Sequence, residues 1–217
     1  MYPRQAGSFI VSVAVIATFA ACASTDGDSA ATDTAASAAA AADATTSTLA
    51  CFVRGTSLEE ARTRPSPLGE VRFSLGGDEG LLCYGRPSAN DRVVMGELVP
   101  YGAPWRLGAN EATAIHVTFP AEIGDVEVEP GSYSLYAVPG EAEWEIFVNR
   151  QVERWGIPIN EGVTGENIGS FTRPVARVET PVETLTFSWQ EHGEGMGHLV
   201  MEWENSRVEI PVHRRGD

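Results

Sequence analysis

The residues with the most chemistry in this chain lie close together in residues 105–113, which read WRLGANEAT. The stretch combines an indole, a guanidinium, an amide and a carboxylate, at Trp105, Arg106, Asn110 and Glu111. It lies between the turn-forming PYGAP of residues 100–104 and the strand-like AIHVTF of residues 114–119. A guanidinium recognises carboxylates and carbonyl oxygens, and a carboxylate can transfer protons. This stretch is therefore the first candidate for a functional site.

Three residues ahead of the stretch extend the candidate site, because each can bind an anion or stack on a ring: Arg86, Arg92 and Tyr101. One interpretation of the whole set is structural. In it, Arg86 or Arg106 pairs with Glu111, Asn110 caps the turn, and Trp105 covers the pair. This interpretation predicts that Glu111 is mostly buried, since the indole would exclude water from the pair.

The other two interpretations are functional. In one, two of the arginines bind an anionic group in a pocket while Trp105 or Tyr101 stacks on the ligand. In the other, Glu111 is the general acid or base of a hydrolase, with Arg86 or Arg106 in the same cleft. A buried pair and a ligand site use the same residues, so the sequence leaves all three interpretations open.

The N-terminal 21 residues have the pattern of an export signal. Arg4 precedes an apolar stretch, residues 9–17, which is too short to span a bilayer. The sequence FAAC at residues 19–22 then resembles a bacterial lipobox, with phenylalanine where leucine is usual. That resemblance implies that Cys22 is lipidated and begins the mature chain, and an ordinary signal peptide is the alternative.

Composition divides the rest of the chain into two parts. Residues 22–50 are mostly Ala, Thr, Ser and Asp, so we expect the lipidated cysteine to be followed by a disordered tether. Residues 51–217 are long enough for a single domain with its own core. We expect an exported lipoprotein that faces the periplasm or the cell exterior. The two positions after Cys22 hold Ala23 and Ser24 and not Asp, which favours the outer membrane in a bacterium with two membranes.

Charge and motif content exclude several classes of function. The formal net charge of −15 makes the chain a poor partner for nucleic acid or anionic headgroups. All 15 basic residues are arginines, so Schiff-base lysines and Walker A loops are excluded. The four histidines have no metal-ligand spacing, and no G-x-S-x-G motif is present. We expect neither a metal nor a cofactor.

Two cysteines remain beyond Cys22, at positions 51 and 83. An even pair in an exported domain predicts a disulfide between Cys51 and Cys83. Two buried thiols are the alternative.

The pattern beyond residue 65 is almost entirely that of β-strands. Short apolar alternations are separated by turn signals every 8–12 residues, which predicts an all-β antiparallel sandwich or roll of about nine short strands. The expected strands include residues 71–75, 81–85, 114–119, 126–129, 144–150, 176–179, 183–189, 198–204 and 207–212, with another within 130–140. Residues 57–64 are the one stretch that predicts a helix.

The order and spacing of several segments resemble the bacterial domain-of-unknown-function family 2911. These segments are residues 84–88, 92, 95–102, 105–113 and 130–135. The resemblance covers about residues 65–212, and it implies an exported, often membrane-associated, β-rich domain without an assigned reaction. We therefore expect a lipid-anchored envelope module that binds a small ligand, a glycan or an envelope protein, with a hydrolase as the alternative.

Overall fold

A computed structural model describes residues 49–193 and 195–216. The predicted signal peptide, Cys22 and tether residues 23–48 lie outside this part. Within it, no helix is long and apolar enough to cross a membrane. The helices are α1 (Leu58–Ala61) and α2 (Glu161–Thr164), and the strands are β1 (Leu68–Leu75), β2 (Asp78–Gly85), β3 (Thr113–Val117), β4 (Ala121–Ile123), β5 (Val126–Val128), β6 (Gly131–Pro139), β7 (Glu143–Asn149), β8 (Asn167–Pro174), β9 (Ala176–Glu191) and β10 (Met196–Arg214).

The ten strands form two antiparallel sheets, which confirms the predicted sandwich. The larger sheet has the order β1-β2-β3-β6-β7-β8, and the smaller has the order β5-β4-β10-β9. β9 and β10 are far longer than expected, because segments predicted as separate strands run together. Irregular register around Glu204 carries β10 through the predicted break instead of ending the strand.

Alternation along the strands places the core between the sheets. Trp144, Ile146 and Val148 alternate along β7 and are all at most 1% exposed. From the smaller sheet, Met201 and Trp203 of β10 join the same apolar cluster. The core therefore holds both sheets in a fixed arrangement beneath the loops that carry the candidate residues.

β1 and β2 form a hairpin, and its turn is tighter than the five residues between the expected strands 71–75 and 81–85. Leu75 pairs directly with Asp78, so only Gly76 and Gly77 form the turn. Both glycines have positive φ, 63° and 90°, which is the backbone that a two-residue hairpin turn needs.

The predicted disulfide between Cys51 and Cys83 is present, with 5.6 Å between the two Cα atoms. It fastens the first described residues to β2. Cys51 and Cys83 form a small second cluster with Leu81, against which Leu58 and Leu68 pack. The disulfide therefore brings the segment ahead of β1 alongside the larger sheet.

The predicted helix is reduced to the single turn α1. Ser57 and Glu60 close a capping box at its start, in which the N–H of Glu60 donates to Ser57 Oγ at 3.2 Å. One turn suffices to redirect the chain, and this redirection brings Arg64 to the candidate site.

Candidate functional site

Residues 105–113 form a tight loop that begins alongside β6 and runs into the start of β3. Trp105 exchanges two main-chain hydrogen bonds with Ala137 of β6, at 2.7 and 2.8 Å. Leu107 and Asn110 both have left-handed backbone, with φ of 53° and 62°. The backbone therefore reverses twice within four residues. As a result, the side chains ahead of Leu107 and those after Asn110 lie on different sides of the loop.

Glu111 lies on the closed side of the loop and is only 8% exposed. Its carboxylate accepts two hydrogen bonds from Nη1 of Arg64, at 3.0 and 2.9 Å. The main-chain N–H of Arg54 donates a third at 2.8 Å. The predicted burial of Glu111 is confirmed, and both of its carboxylate oxygens accept hydrogen bonds from the protein.

The predicted partner of Glu111 was wrong, because neither Arg86 nor Arg106 contacts it. Arg64 takes that place, although it precedes Glu111 by 47 positions. No local spacing rule connects residues so far apart in the sequence. The one available signal was Arg64 itself, a cation at the end of the predicted helix of residues 57–64.

Arg86 lies at the end of β2 and reaches toward β9. Its Nε donates to the carbonyl of Leu185 at 3.5 Å, and its Nη2 donates to Oγ1 of Thr186 at 3.4 Å. Its stem lies over Gly69, where a Cβ would come within 2.6 Å of the Arg86 Cδ. The structure therefore places Arg86 as a link between the two sheets.

Three of the candidate residues, Arg92, Trp105 and Arg106, line one cleft of about 250 Å³. Glu111 does not line it. The rest of the wall is mainly apolar or main chain, from Pro87, Leu98, Val99, Gly108, Ala109 and Trp203. Asn110 supports the wall indirectly, because its Nδ2 donates to the carbonyl of the lining residue Ser66 at 2.9 Å.

Arg106 is the unusual charge in this cleft. The guanidinium is half-buried, and its Nε is sealed from solvent without a hydrogen-bond partner. Among residues 49–193 and 195–216 it has neither an acceptor nor a carboxylate partner. Burial lowers the pKa of Arg106, as expected for a cation removed from water.

Gly156 fixes the position of the Arg106 stem. A Cβ at Gly156 would come within 2.1 Å of the Arg106 Cδ, which no side chain could tolerate. The main-chain N–H of Gly156 donates to the carbonyl of Asn110 at 2.8 Å, so the two loops are joined at this point. The close approach directs the guanidinium along the loop toward the cleft.

Arg92 supplies the second cation, and main-chain carbonyls hold it in place. Its Nε donates to Ala89 at 2.7 Å and its Nη2 to Ser88 at 2.8 Å. It makes no ion pair with any carboxylate in the described part of the chain. Arg92 therefore keeps its charge, and its remaining N–H groups are free to bind another acceptor.

Two indoles contribute to the wall of the cleft. The ring of Trp105 stacks on Trp203 with centroids 5.9 Å apart and meets Trp144 edge-on at 5.6 Å. Nε1 of Trp203 donates to the carbonyl of Glu183 at 3.1 Å. Nε1 of Trp105 donates to no described residue, so this indole has a donor to spare.

Glu204 is a residue whose role the sequence did not indicate. It has left-handed backbone, with φ of 53°, in the irregular part of β10 beside Trp203. Its carboxylate accepts from the N–H groups of Val94 and Met95, at 3.3 and 3.2 Å. These bonds fix the loop that carries Arg92 and Leu98 over the cleft.

Tyr101 does not join the other candidates. It is 41% exposed and lies in a neighbouring groove with Met95, Arg177 and Glu204. The structure thus unites Arg92, Trp105 and Arg106, and it separates them from Tyr101.

The histidines form a separate arrangement on the β9–β10 hairpin. The rings of His192 and His198 are 4.1 Å apart, and His198 Nδ1 lies 2.8 Å from a carboxylate oxygen of Glu209. No group of three or more His, Cys, Asp or Glu side chains in the described residues could hold a metal ion.

Comparison with known proteins gives one match. No curated protein and no solved structure matches the chain. The family described as "Protein of unknown function (DUF2911)" matches residues 66–212. The matched region contains every residue that lines the cleft, from Ser66 to Trp203. The chain therefore belongs to the DUF2911 family, the one that residues 84–135 resemble.

Proposed function

We propose that the domain is a non-enzymatic binding module that holds the anionic group of a ligand in the Arg92–Arg106 cleft. The observation that carries this proposal is the half-buried guanidinium of Arg106, which has no acceptor in the described residues. A desolvated charge without a partner destabilises a protein. An anion that enters the cleft would supply the missing partner.

The chemistry of the cleft narrows the kind of anion. An arginine presents a planar fork of donors that matches a carboxylate or phosphate. Arg92 adds positive charge from the opposite loop, and Trp105 adds an indole N–H. A volume of about 250 Å³ accommodates a small ligand or one end of a larger one. Two cations and a free N–H around a largely apolar wall are typical of an anion site.

Binding is favoured over catalysis because of where Glu111 lies. The hydrolase alternative requires Glu111 beside Arg86 or Arg106 in one cleft. Instead, Arg64 and the N–H of Arg54 hold both carboxylate oxygens of Glu111 outside the Arg106 cleft. A carboxylate held in this way is poorly placed to exchange protons with a ligand beside Arg106.

Titration of the full-length protein with sodium benzoate and with sodium phosphate tests the proposal. The indole N–H signals in ¹H–¹⁵N NMR spectra would report binding, and we expect the signal of Trp105 to shift most. Arg106→Met keeps an apolar stem against Gly156 and removes the charge, so we expect binding to weaken at least about tenfold.

Arg150→Met is the matched control, because Arg150 is exposed and its side chain makes no hydrogen bond or ion pair in the described residues. We expect this variant to bind both anions like the wild type. Equal binding by Arg106→Met and wild type would overturn the proposal, and so would the absence of a shift with either anion.

We also propose that the module is exported and attached to a membrane, facing the periplasm or the cell exterior, through lipid on Cys22. Support comes from the FAAC sequence behind a short apolar stretch. Cys22→Ser should release the protein from the membrane fraction, since several acyl chains on one residue provide the anchor. Full membrane attachment of the variant would contradict the anchor.

A further inference from the structure

We infer that the cleft captures the C-terminal carboxylate of a protein partner, whose last apolar side chains rest on the rim. The inference rests on the proposed anion binding and adds the class of ligand. It starts from where the described part of the chain exposes large apolar side chains.

In the described residues, the five exposed large hydrophobic residues all belong to two loops: Val93, Leu98, Tyr101, Trp155 and Ile157, each 41–58% exposed. Single exposed apolar residues are normal on a protein surface. The loop at residues 93–101 holds three of the five, which is more than scattered exposure would give.

Two of these five residues, Val93 and Leu98, lie beside the cleft. Leu98 lines it, and the main-chain N–H of Leu98 donates to the carbonyl of Val93 at 3.3 Å, which keeps the two together. Trp155 faces the closed side of the loop instead, because it pairs with Glu111 in a β-bridge and lies beside Arg64. A cationic centre with an apolar rim on one side results.

This composition matches the part of protein interfaces that carries most of the binding energy. Tryptophan and arginine are enriched there, in pockets surrounded by apolar contacts. The rim is also held in place, because the Val93 carbonyl accepts the main-chain N–H of Leu98. A rim that is ordered before binding loses less entropy when a partner arrives.

Main-chain donors in the cleft favour a terminal carboxylate. Gly108 and Ala109 line the cleft between the left-handed residues Leu107 and Asn110. Their N–H groups donate to no acceptor in the part of the chain that the structure describes. Free N–H groups in turns of this kind capture C-terminal carboxylates in other peptide-binding proteins.

The overall charge of the chain argues for a single anionic group. At a net charge of −15, the protein repels an extended acidic surface or a bilayer of anionic headgroups. One carboxylate on an otherwise apolar chain end experiences the local field of Arg92 and Arg106 with little of that repulsion. A protein C-terminus that ends in apolar residues meets both conditions.

Fluorescein-labelled peptides of the sequence Ser-Gly-Ser-Ala-Leu test the inference by fluorescence anisotropy with the full-length protein. Each peptide is made as a free acid and as a C-terminal amide, with a further amide peptide that carries an internal Glu. We expect the free acid to bind at least about tenfold more tightly than either amide. Replacement of the last two residues by Ser-Ser should weaken binding several-fold.

Variants of the rim separate this inference from the proposed anion binding. Val93→Ser should weaken binding of the free-acid peptide several-fold and leave benzoate binding unchanged, whereas Arg106→Met should weaken both. Benzoate binding without any preference for acid over amide would overturn the inference and leave the anion site intact.

Two other outcomes would also overturn the inference. Equal affinity for the internal Glu peptide would assign the site to acidic side chains. Tighter binding to phosphatidylglycerol vesicles than to the free-acid peptide would assign it to lipid. If the wild type binds neither benzoate nor the peptide, both the proposed function and the inference are wrong.

Discussion

The two sides of the loop at residues 105–113 differ in whether their charged side chain has a partner within the protein. On the closed side, Glu111 accepts three hydrogen bonds from Arg64 and the Arg54 N–H, and the protein itself supplies every partner. On the open side, Arg106 is half-buried with a sealed Nε and no acceptor in the described residues. A charge whose partners the fold supplies stabilises the fold, whereas the charge of Arg106 is the one to which the proposed ligand would bind.

The two sides also differ in where their residues come from. Every residue that lines the cleft lies within residues 66–212, which match the family. Arg54 and Arg64 precede that region, and the disulfide at Cys51 holds their segment in place. The cleft is thus built from the family domain alone, and the Glu111 pair depends on the segment ahead of it.

The largest effect on this comparison is expected from Glu111→Ala. It leaves Nη1 of Arg64 and the Arg54 N–H without an acceptor at a site where Glu111 is 8% exposed. Removing one partner of a buried ion pair costs about 3–5 kcal/mol of stability. Urea unfolding would measure the loss, and Glu111→Gln should lose less because it preserves shape and one acceptor.

Retention of anion binding by the folded Glu111→Ala protein would support the separation of the two sides. A variant as stable as the wild type that binds no anion would break the comparison. It would move Glu111 into the binding site.

The next largest effect is expected from loss of the disulfide. Cys51 and Cys83 are 32 positions apart, and opening a loop of that length costs about 3–4 kcal/mol. The paired change Cys51→Ser with Cys83→Ser should also loosen the segment that carries Arg54. The combined variant should therefore lose less stability than the sum of the losses from the cysteine change and from Glu111→Ala. A double-mutant cycle measures this difference.

Mass spectrometry of the exported protein under non-reducing conditions provides the control. It should detect no alkylatable thiol at Cys51 or Cys83. Two free thiols, or strict additivity in the cycle, would mean that the disulfide does not support the Glu111 pair.

The smallest effect on stability is expected from Arg106→Met. Loss of an unpaired, desolvated charge offsets the loss of any favourable contact of the guanidinium, so we expect a change within about 1 kcal/mol, of either sign. Thermal melts beside Arg150→Met would measure it. A loss above about 2 kcal/mol would make Arg106 a structural residue like Glu111.

The fold was largely predictable because strand periodicity is local. Trp144, Ile146 and Val148 alternate along β7 and are buried as that pattern requires. The length of β9 and β10 was not predictable, because irregular register lets a strand continue through a sequence that favours a break. Only the partner strand determines whether such a segment stays paired.

The candidate site was predictable in part for the same reason. Trp105 and Arg106 are neighbours in sequence, and they line the same cleft. The partner of Glu111 was not predictable, because Arg64 arrives from 47 positions away through α1 and the disulfide-bonded segment. Contacts of this range depend on topology, which the spacing of residues around a loop does not encode.

The disulfide also determines how the domain would carry mechanical load under the proposed anchoring. Tension applied to the chain ahead of residue 49 enters the described part near Cys51 and passes through the sulfur–sulfur bond to Cys83 in β2. β2 is flanked by β1 and β3, so the force spreads into the larger sheet across two ladders of hydrogen bonds. Residues 52–82 lie inside the covalent loop and bear none of the pull, which protects α1 and Arg64 from being drawn away from Glu111.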